Sequence, residues 1–187
     1  LGATNEHFDI DNASYDGKAK LIEAIDNKIP AIQTLTLPNN LANAGAVNHI
    51  LPRCQGRYIG VLNMDIEAEE DWLIPLVEFL DQRPDIAAVN PLLTLSDGQS
   101  VNAAGQDIHI TRLGFNHALG RPRSSMTKDP FPVSGIQGAA FLIRRSVLEE
   151  IGGLDDSGFL YHEDVNLSWL LRLMDHPLYC VPRLSLI

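Results

Sequence analysis

Three carboxylate-bearing stretches stand where the chain changes from one element to the next. Residues 58–72 read YIGVLNMDIEAEEDW, an apolar run that reads as a buried strand and ends on Asn63, Met64 and Asp65. Glu67, Glu69, Glu70 and Asp71 follow closely. A carboxylate at a strand end is either part of a turn or an oxygen ligand for a hard cation. Mg2+ often takes only one or two carboxylates, beside phosphate oxygens and waters. Asp65 is the candidate ligand for Mg2+ or Mn2+, with the Asn63 carbonyl oxygen beside it. Residues 8–17, FDIDNASYDG, gather Asp11, Asn12, Ser14 and Asp16 after a short strand. Such clusters form Asx turns, and a carboxylate there can also accept the imide N–H of a pyrimidine. Residues 161–169, YHEDVNLSW, put Glu163 and Asp164 at a helix start. That is a common capping arrangement. It also suits a general base, since an aspartate with a pKa near ~3.9 is ionised at pH 7 and can take a proton from an attacking sugar hydroxyl. The segment 37–51, LPNNLANAGAVNHIL, is dense in asparagine. Asn40 suits helix capping, and Asn40, Asn48 and their neighbours also suit polar contact with a nucleotide or diphosphate.

The elements that must position these residues follow from periodicity and turn chemistry. HFDID (7–11) reads as a strand. Residues 18–28 have apolar groups at helical spacing, 29–38 alternates and ends in Pro38 as a second strand, and 41–51 is helical up to Pro52. The apolar run from Tyr58 is the third strand. Residues 69–84 read as a helix with acids in its first turn, which suit the positive end of the helix dipole. Residues 85–95 read as a fourth strand. Such alternation implies a mostly parallel sheet with helices on its faces, and ligands sit beyond the carboxyl ends of such strands. The Asp11 loop and Asp65 both lie at strand carboxyl ends. From Ser96 to Pro132 the pattern gives way to Gly, Ser, Asn and Asp, with a hairpin expected around DIHI (107–110). A strand (138–144), a helix (146–151), a helix from about Val165 and a strand (178–182) complete the chain. Leu167, Leu170, Leu171 and Met174 are expected on one face of the later helix.

The 187 residues suit one domain, and the formal net charge of −10 argues against nucleic acid or an anionic membrane as the main partner. A nucleotide ligand remains compatible, because a metal ion supplies positive charge. The two cysteines, Cys54 and Cys180, show neither a disulfide framework nor metal-ligand spacing, consistent with a reducing compartment. Among the six histidines, His162 stands beside Glu163 and Asp164. Gly-x-Gly-x-x-Gly, a Walker loop and a Ser-His-Asp arrangement are not visible, so dinucleotide, P-loop and hydrolase readings lack support.

Taken in order, DNASYDG, NNLANAGAVN, YIGVLNMDIEAEEDWL and GAAFLIRRSVLEEIGGLDDSGFLYHEDVNLSWLLR resemble the family 2 glycosyltransferases of the GT-A fold. The last segment is the most specific, and the resemblance runs from about Phe8 to Pro182. The form LNxD resembles the rhamnosyltransferase branch. The resemblance implies an α/β fold with a Rossmann-like mixed sheet and helices on both faces. It further implies inverting transfer of a sugar from a nucleotide-diphosphate sugar (dTDP-rhamnose, a UDP- or a GDP-sugar) to a hydroxyl. The acceptor would be a glycan or a lipid-linked species in polysaccharide, lipopolysaccharide or cell-wall synthesis.

Carried over by position, Asp11 and the loop through Asn12, Ser14 and Asp16 would hold the nucleoside base. Asn40, Asn48 and Asn63 would contact the nucleotide, Asp65 would bind the divalent metal, and Glu163 and Asp164 would face the acceptor, with Asp164 as base. Asn63 replaces the first acid of the usual Asp-x-Asp, and Asn166 stands where a second Asp often follows the Glu-Asp pair. The family begins with a strand and helix before HFDID, so the expectation is a single domain over 1–187 cut at both ends. Its halves would be 8–95 for nucleotide-sugar binding and 96–187 for the acceptor and catalysis. The expected location is the cytoplasm, with any association with the inner face of a membrane made by regions outside this chain. A competing class is a binding module that keeps the fold without turnover. A nucleotidyltransferase would need a basic Gly-rich loop near the start, which this sequence does not show.

Overall fold

The computed structural model describes residues 6–14, 32–69, 71–158 and 162–186. β1 (His7–Asp11) and β2 (Ile32–Thr36) pair in parallel, from His7 opposite Ile32 to Asp11 opposite Thr36. Parallel pairing requires a crossover, and the helix expected at 18–28 lies outside the described residues. α1 (Ala42–Ile50) buries a small-residue face of Ala42, Ala44, Gly45, Ala46 and Val47. It gives way at Pro52 to a 3-10 turn over Leu51–Arg53.

β3 (Tyr58–Leu62), β4 (Ala88–Thr94), β9 (Ala140–Arg144), β10 (Leu178–Leu186) and β8 (Phe131–Val133) form the main sheet in the order β3-β9-β4-β10-β8. Among the described residues β3 is therefore an edge strand, and of its five residues only Ile59 and Val61, on one face, are buried. The short β5 (Val101–Ala103) pairs with β4. The sheet is mixed rather than mostly parallel. β4 and β10 run parallel, while β9 lies antiparallel between β3 and β4. The reason is the path of the chain. Residues 95–139 carry β5, the hairpin at 106–116 and β8, and the chain then enters β9 at Ala140 and runs back along β4, with Leu142 opposite Val89 and Ile143 opposite Ala88. Ala140, Phe141, Leu142 and Ile143 are all buried, which fits an interior slot.

α2 (Leu73–Gln82) covers one face, where Leu76 and Leu80 pack with Val89, Leu142 and Val181. α1, α3 (Arg145–Glu150) and α4 (Glu163–Leu173) cover the other, around Phe141, Ile143, Leu148, Leu167 and Leu171. The acids expected in the first turn of α2 precede it, because the chain turns at Asp71 with φ 60° and the helix begins at Leu73. Glu69 instead meets Arg123 at 3.1 Å. The buried face of α4 is Val165, Leu167, Ser168 and Leu171. Leu170, expected in that stripe, is 43% exposed, because it lies off the arc that repeats every 3–4 residues through 164, 167, 168 and 171. The expected hairpin is present as β6 (Gln106–Ile108) and β7 (Gly114–Asn116).

Candidate active site

Asp164 lies in the first turn of α4, two residues after the cap position. The cap position is His162, whose left-handed backbone (φ 73°) turns the chain into the helix. The Asp164 carboxylate faces inward. Its Oδ2 accepts the Gly138 N–H at 3.0 Å and the Gln106 Nε2–H at 2.8 Å, and its Oδ1 accepts the Val165 N–H at 2.8 Å. Burial pushes its pKa above the ordinary carboxylate range, and neighbouring Glu163 pushes the same way. The Gly138, Val165 and Gln106 N–H groups oppose that rise.

The segment that supplies Gly138 is itself fixed. Buried Asn90 on β4 donates to the Gln137 and Ala140 carbonyls and accepts the Gln137 N–H at 3.0 Å. Ser168 Oγ accepts the Ile136 N–H at 2.9 Å and donates to the Asp164 carbonyl at 2.6 Å. The next residue of the same segment reaches the opposite way, and the Ala139 carbonyl accepts the Asn63 N–H at 2.8 Å. Asn63 in turn opens the turn that presents Asp65, closed by the Ile66 N–H on the Asn63 carbonyl at 3.2 Å. Asn63 and Asp65 are both exposed. One short segment thus joins the Asp65 turn to Asp164.

A second route reaches Asp11. Its side chain is 2% exposed, with Oδ1 accepting the Ser14 N–H at 3.0 Å. Its Oδ2 is buried and has no hydrogen-bond partner among the described residues. Asn12 ties this loop to the start of α1, accepting the Leu41 N–H at 2.8 Å and donating to the Ala42 carbonyl at 2.9 Å. Asn40 Oδ1 accepts the Ala42 N–H at 2.9 Å. Asn43 on α1 then reaches Glu163 Oε1 at 3.4 Å. Asp11, at the end of the separate β1-β2 pair, is thereby linked through α1 to Glu163 and Asp164, and segment 138–139 links Asp164 to the Asp65 turn. Asp16 lies outside the described residues.

Asn48 points elsewhere. It donates to the Leu154 carbonyl and accepts the Leu154 N–H, both at 2.8 Å, so its amide holds the turn after α3. Asn166 donates to Asp155 at 2.8 Å. Arg172 reaches the Val133 carbonyl at 3.4 Å, and Arg144 donates to the carbonyls of Ile86, Leu80 and Arg83.

Gln106 was not anticipated from sequence. It sits 58 residues from Asp164, in the stretch where periodicity fails, and nothing local marks it. Gly138 carried a signal in the small-residue run Gly138-Ala139-Ala140. A Cβ at Gly138 would lie 3.2 Å from Asp164 Oδ2.

Among the described residues no group of three or more His, Cys, Asp and Glu side chains could enclose a metal. The donor set at Asp65 still suits Mg2+ or Mn2+ bound mainly through a diphosphate and water, which asks the protein for one or two carboxylates. The buried Oδ2 of Asp11, without a partner among the described residues, suits a ligand N–H donor.

Comparison with known proteins bears on the family and the fold. The family model described as Glycosyl transferase family 2 matches residues 6–152. An N-acetylglucosaminyl-diphospho-decaprenol L-rhamnosyltransferase of Mycobacterium tuberculosis is 28% identical, aligned over 84% of this chain and 57% of its own length. A pre-mycofactocin glycosyltransferase of the same species is 30% identical over 83% of this chain and 32% of its own length. The chain therefore spans 57% and 32% of the length of these two curated relatives. Among solved structures, GalNAc-T7 with UDP, GalNAc and Mn2+ superposes with a TM-score of 0.77 at 18% identity, covering 98% of this chain and 37% of that one. The mannosyltransferase PcManGT of Pyrobaculum calidifontis with GDP-Man and Mn2+ gives 0.69 at 15% identity, covering 97% and 46%. The fold is that of the GT-A glycosyltransferases, and the chain belongs to glycosyl transferase family 2.

Proposed function

We propose that this chain binds a nucleotide-diphosphate sugar and transfers its sugar to an acceptor hydroxyl with inversion. The observation that carries this reading is the shared anchoring of Asp164 and the Asp65 turn on Gly138 and Ala139. Asp164 takes the proton from the acceptor hydroxyl. The acceptor oxygen bonds to the anomeric carbon as the bond from that carbon to the diphosphate oxygen breaks, and its electron pair leaves with the diphosphate. A single displacement from the opposite face inverts the centre. Asp65 would hold Mg2+ or Mn2+, which supplies Lewis-acid stabilisation of the leaving diphosphate. Glu163 would lie on the acceptor side, steadied by Asn43. Asp11 would accept an N–H of the nucleoside base, with the loop through Ser14 and Asp16 beside it. Asn12 and Asn40 shape that loop and the start of α1.

The rhamnosyltransferase relative supports dTDP-rhamnose as a donor candidate and a lipid-linked diphosphate glycan as an acceptor candidate. UDP- and GDP-sugars are the other donor candidates; the solved neighbours hold UDP with GalNAc and GDP-Man, each with Mn2+. Synthesis of polysaccharide or cell-wall glycan at the cytoplasmic face of a membrane fits that acceptor. Among the described residues no helix is long and apolar enough to cross a membrane. A non-catalytic binding module is the second reading, favoured by the amide of Asn63 where the family usually has an acid.

The test uses full-length protein with a panel of UDP-, dTDP- and GDP-sugars, with Mn2+ and after chelation. Metal-dependent turnover that Asp164→Asn abolishes supports the enzyme. Donor binding without turnover on any donor supports the binding module.

A further inference from the structure

Gln106 is 7% exposed, yet it is a polar side chain with one half of its amide unused. Its Nε2 lies 2.8 Å from Asp164 Oδ2, while its Oε1 is buried and without a partner among the described residues. The amide orientation follows from charge, since a carbonyl oxygen turned toward an ionised carboxylate would be repelled. The backbone beneath it is clamped. The Gln106 N–H donates to the Gly135 carbonyl at 2.7 Å and the Gly135 N–H returns to the Gln106 carbonyl at 3.0 Å. Gly114 across the hairpin leaves the amide its room, because a Cβ there would stand 3.0 Å from Oε1 and 2.9 Å from Val165 Cγ2. An apolar side chain of similar shape would fill this position without burying an unpaired oxygen, which is costly. A packing role therefore does not account for glutamine here. The N–H on Asp164 does.

An ionised carboxylate has about four acceptor sites, two on each oxygen. On Asp164, the Gly138 N–H and the Gln106 N–H fill Oδ2, and the Val165 N–H takes one site on Oδ1. We infer that Gln106 is a positioning residue for Asp164: together with Gly138 it saturates Oδ2 and leaves the remaining lone pair of Oδ1 as the one that takes the acceptor's proton. This rests on Asp164 being the base. Among the described residues, the groups facing the carboxylate are few. The β6–β7 hairpin contributes the neutral Gln106 amide, the segment 137–139 a backbone N–H, and α4 itself the Glu163 charge. Removing the Gln106 donor disfavours the ionised form, so the proton-accepting state is reached only at higher pH.

Three variants of the full-length protein separate the outcomes: Gln106→Leu, Gln106→Met as a second apolar replacement of similar volume, and Asp164→Asn. Two readouts are used. One is the pH profile of kcat and KM for whichever UDP-, dTDP- or GDP-sugar turns over with Mn2+. The other is the 13C NMR titration of aspartate carboxyl carbons without substrate, with Asp164→Asn identifying the resonance. The expected result in either apolar variant is a kcat lower by about tenfold or more with donor KM little changed. The acid limb and the Asp164 midpoint both move to higher pH. Unchanged kcat and midpoint in a folded Gln106 variant, with Asp164→Asn inactive, overturns the role of Gln106 and leaves the base intact. An active Asp164→Asn overturns the base, and this inference with it.

Discussion

The Gly138 N–H lies 3.0 Å from Asp164 Oδ2, and a Cβ on Gly138 would lie 3.2 Å from the same oxygen. The carboxylate is thus seated directly on glycine backbone. Gly138→Ala must push the carboxylate or the segment by a few tenths of an ångström. Catalysis is sensitive to such misplacement. The expected outcome is a kcat lower by about 10–100-fold with a thermal midpoint near that of the parent, checked by steady-state kinetics and calorimetry.

The raised pKa of Asp164 sets the direction of two pH effects, because burial is its largest cause. The acid limb of kcat/KM should lie above the ordinary carboxylate range, since the base must be ionised. The sign for stability is opposite to that of an ion-paired aspartate. The unfolded chain releases this proton at lower pH than the folded one, so this group's contribution weakens as pH rises from the ordinary carboxylate value through the folded value. The kinetic limb is read from a pH–rate profile, and the stability effect from denaturant unfolding across the same range.

Asp11 spends one oxygen on the Ser14 N–H and keeps the other buried and unpartnered among the described residues. Asp11→Asn keeps the shape and removes an acceptor. Hydrogen bonds to charged groups contribute about 1.5–3 kcal/mol. Donor KM should therefore rise by about tenfold or more with kcat little changed. Equal KM values in parent and variant would remove Asp11 from the base pocket.

Asn48 reads in the sequence as a nucleotide contact, yet in the structure its amide is engaged by both backbone groups of Leu154. Asn48→Ala should lower stability by about 1–3 kcal/mol, measured by urea unfolding, and leave donor KM unchanged.

These cases show where the sequence was legible. β1 coincides with the run His7–Asp11, and α1 ends at Ile50, just before the 3-10 turn that holds Pro52. The Asp11 loop, Asp65 and Glu163-Asp164 stand out in the sequence because each puts carboxylates at the end of a strand or the start of a helix, and the structure keeps those element ends. Asn12, Asn40 and Asn48 look alike in sequence, but each amide serves as a local backbone strut, a distinction that depends on which carbonyls and N–H groups come near. The antiparallel entry of β9 was not legible, because the irregular stretch 95–139 hides where the chain returns. Gln106 was hidden for the same reason.

The most direct measurement of the central claim is sugar transfer by full-length Asp164→Asn beside the parent, with the active donor and Mn2+ at saturating concentration. The account predicts a kcat at least about 100-fold lower with donor binding preserved. Turnover equal to that of the parent would contradict it.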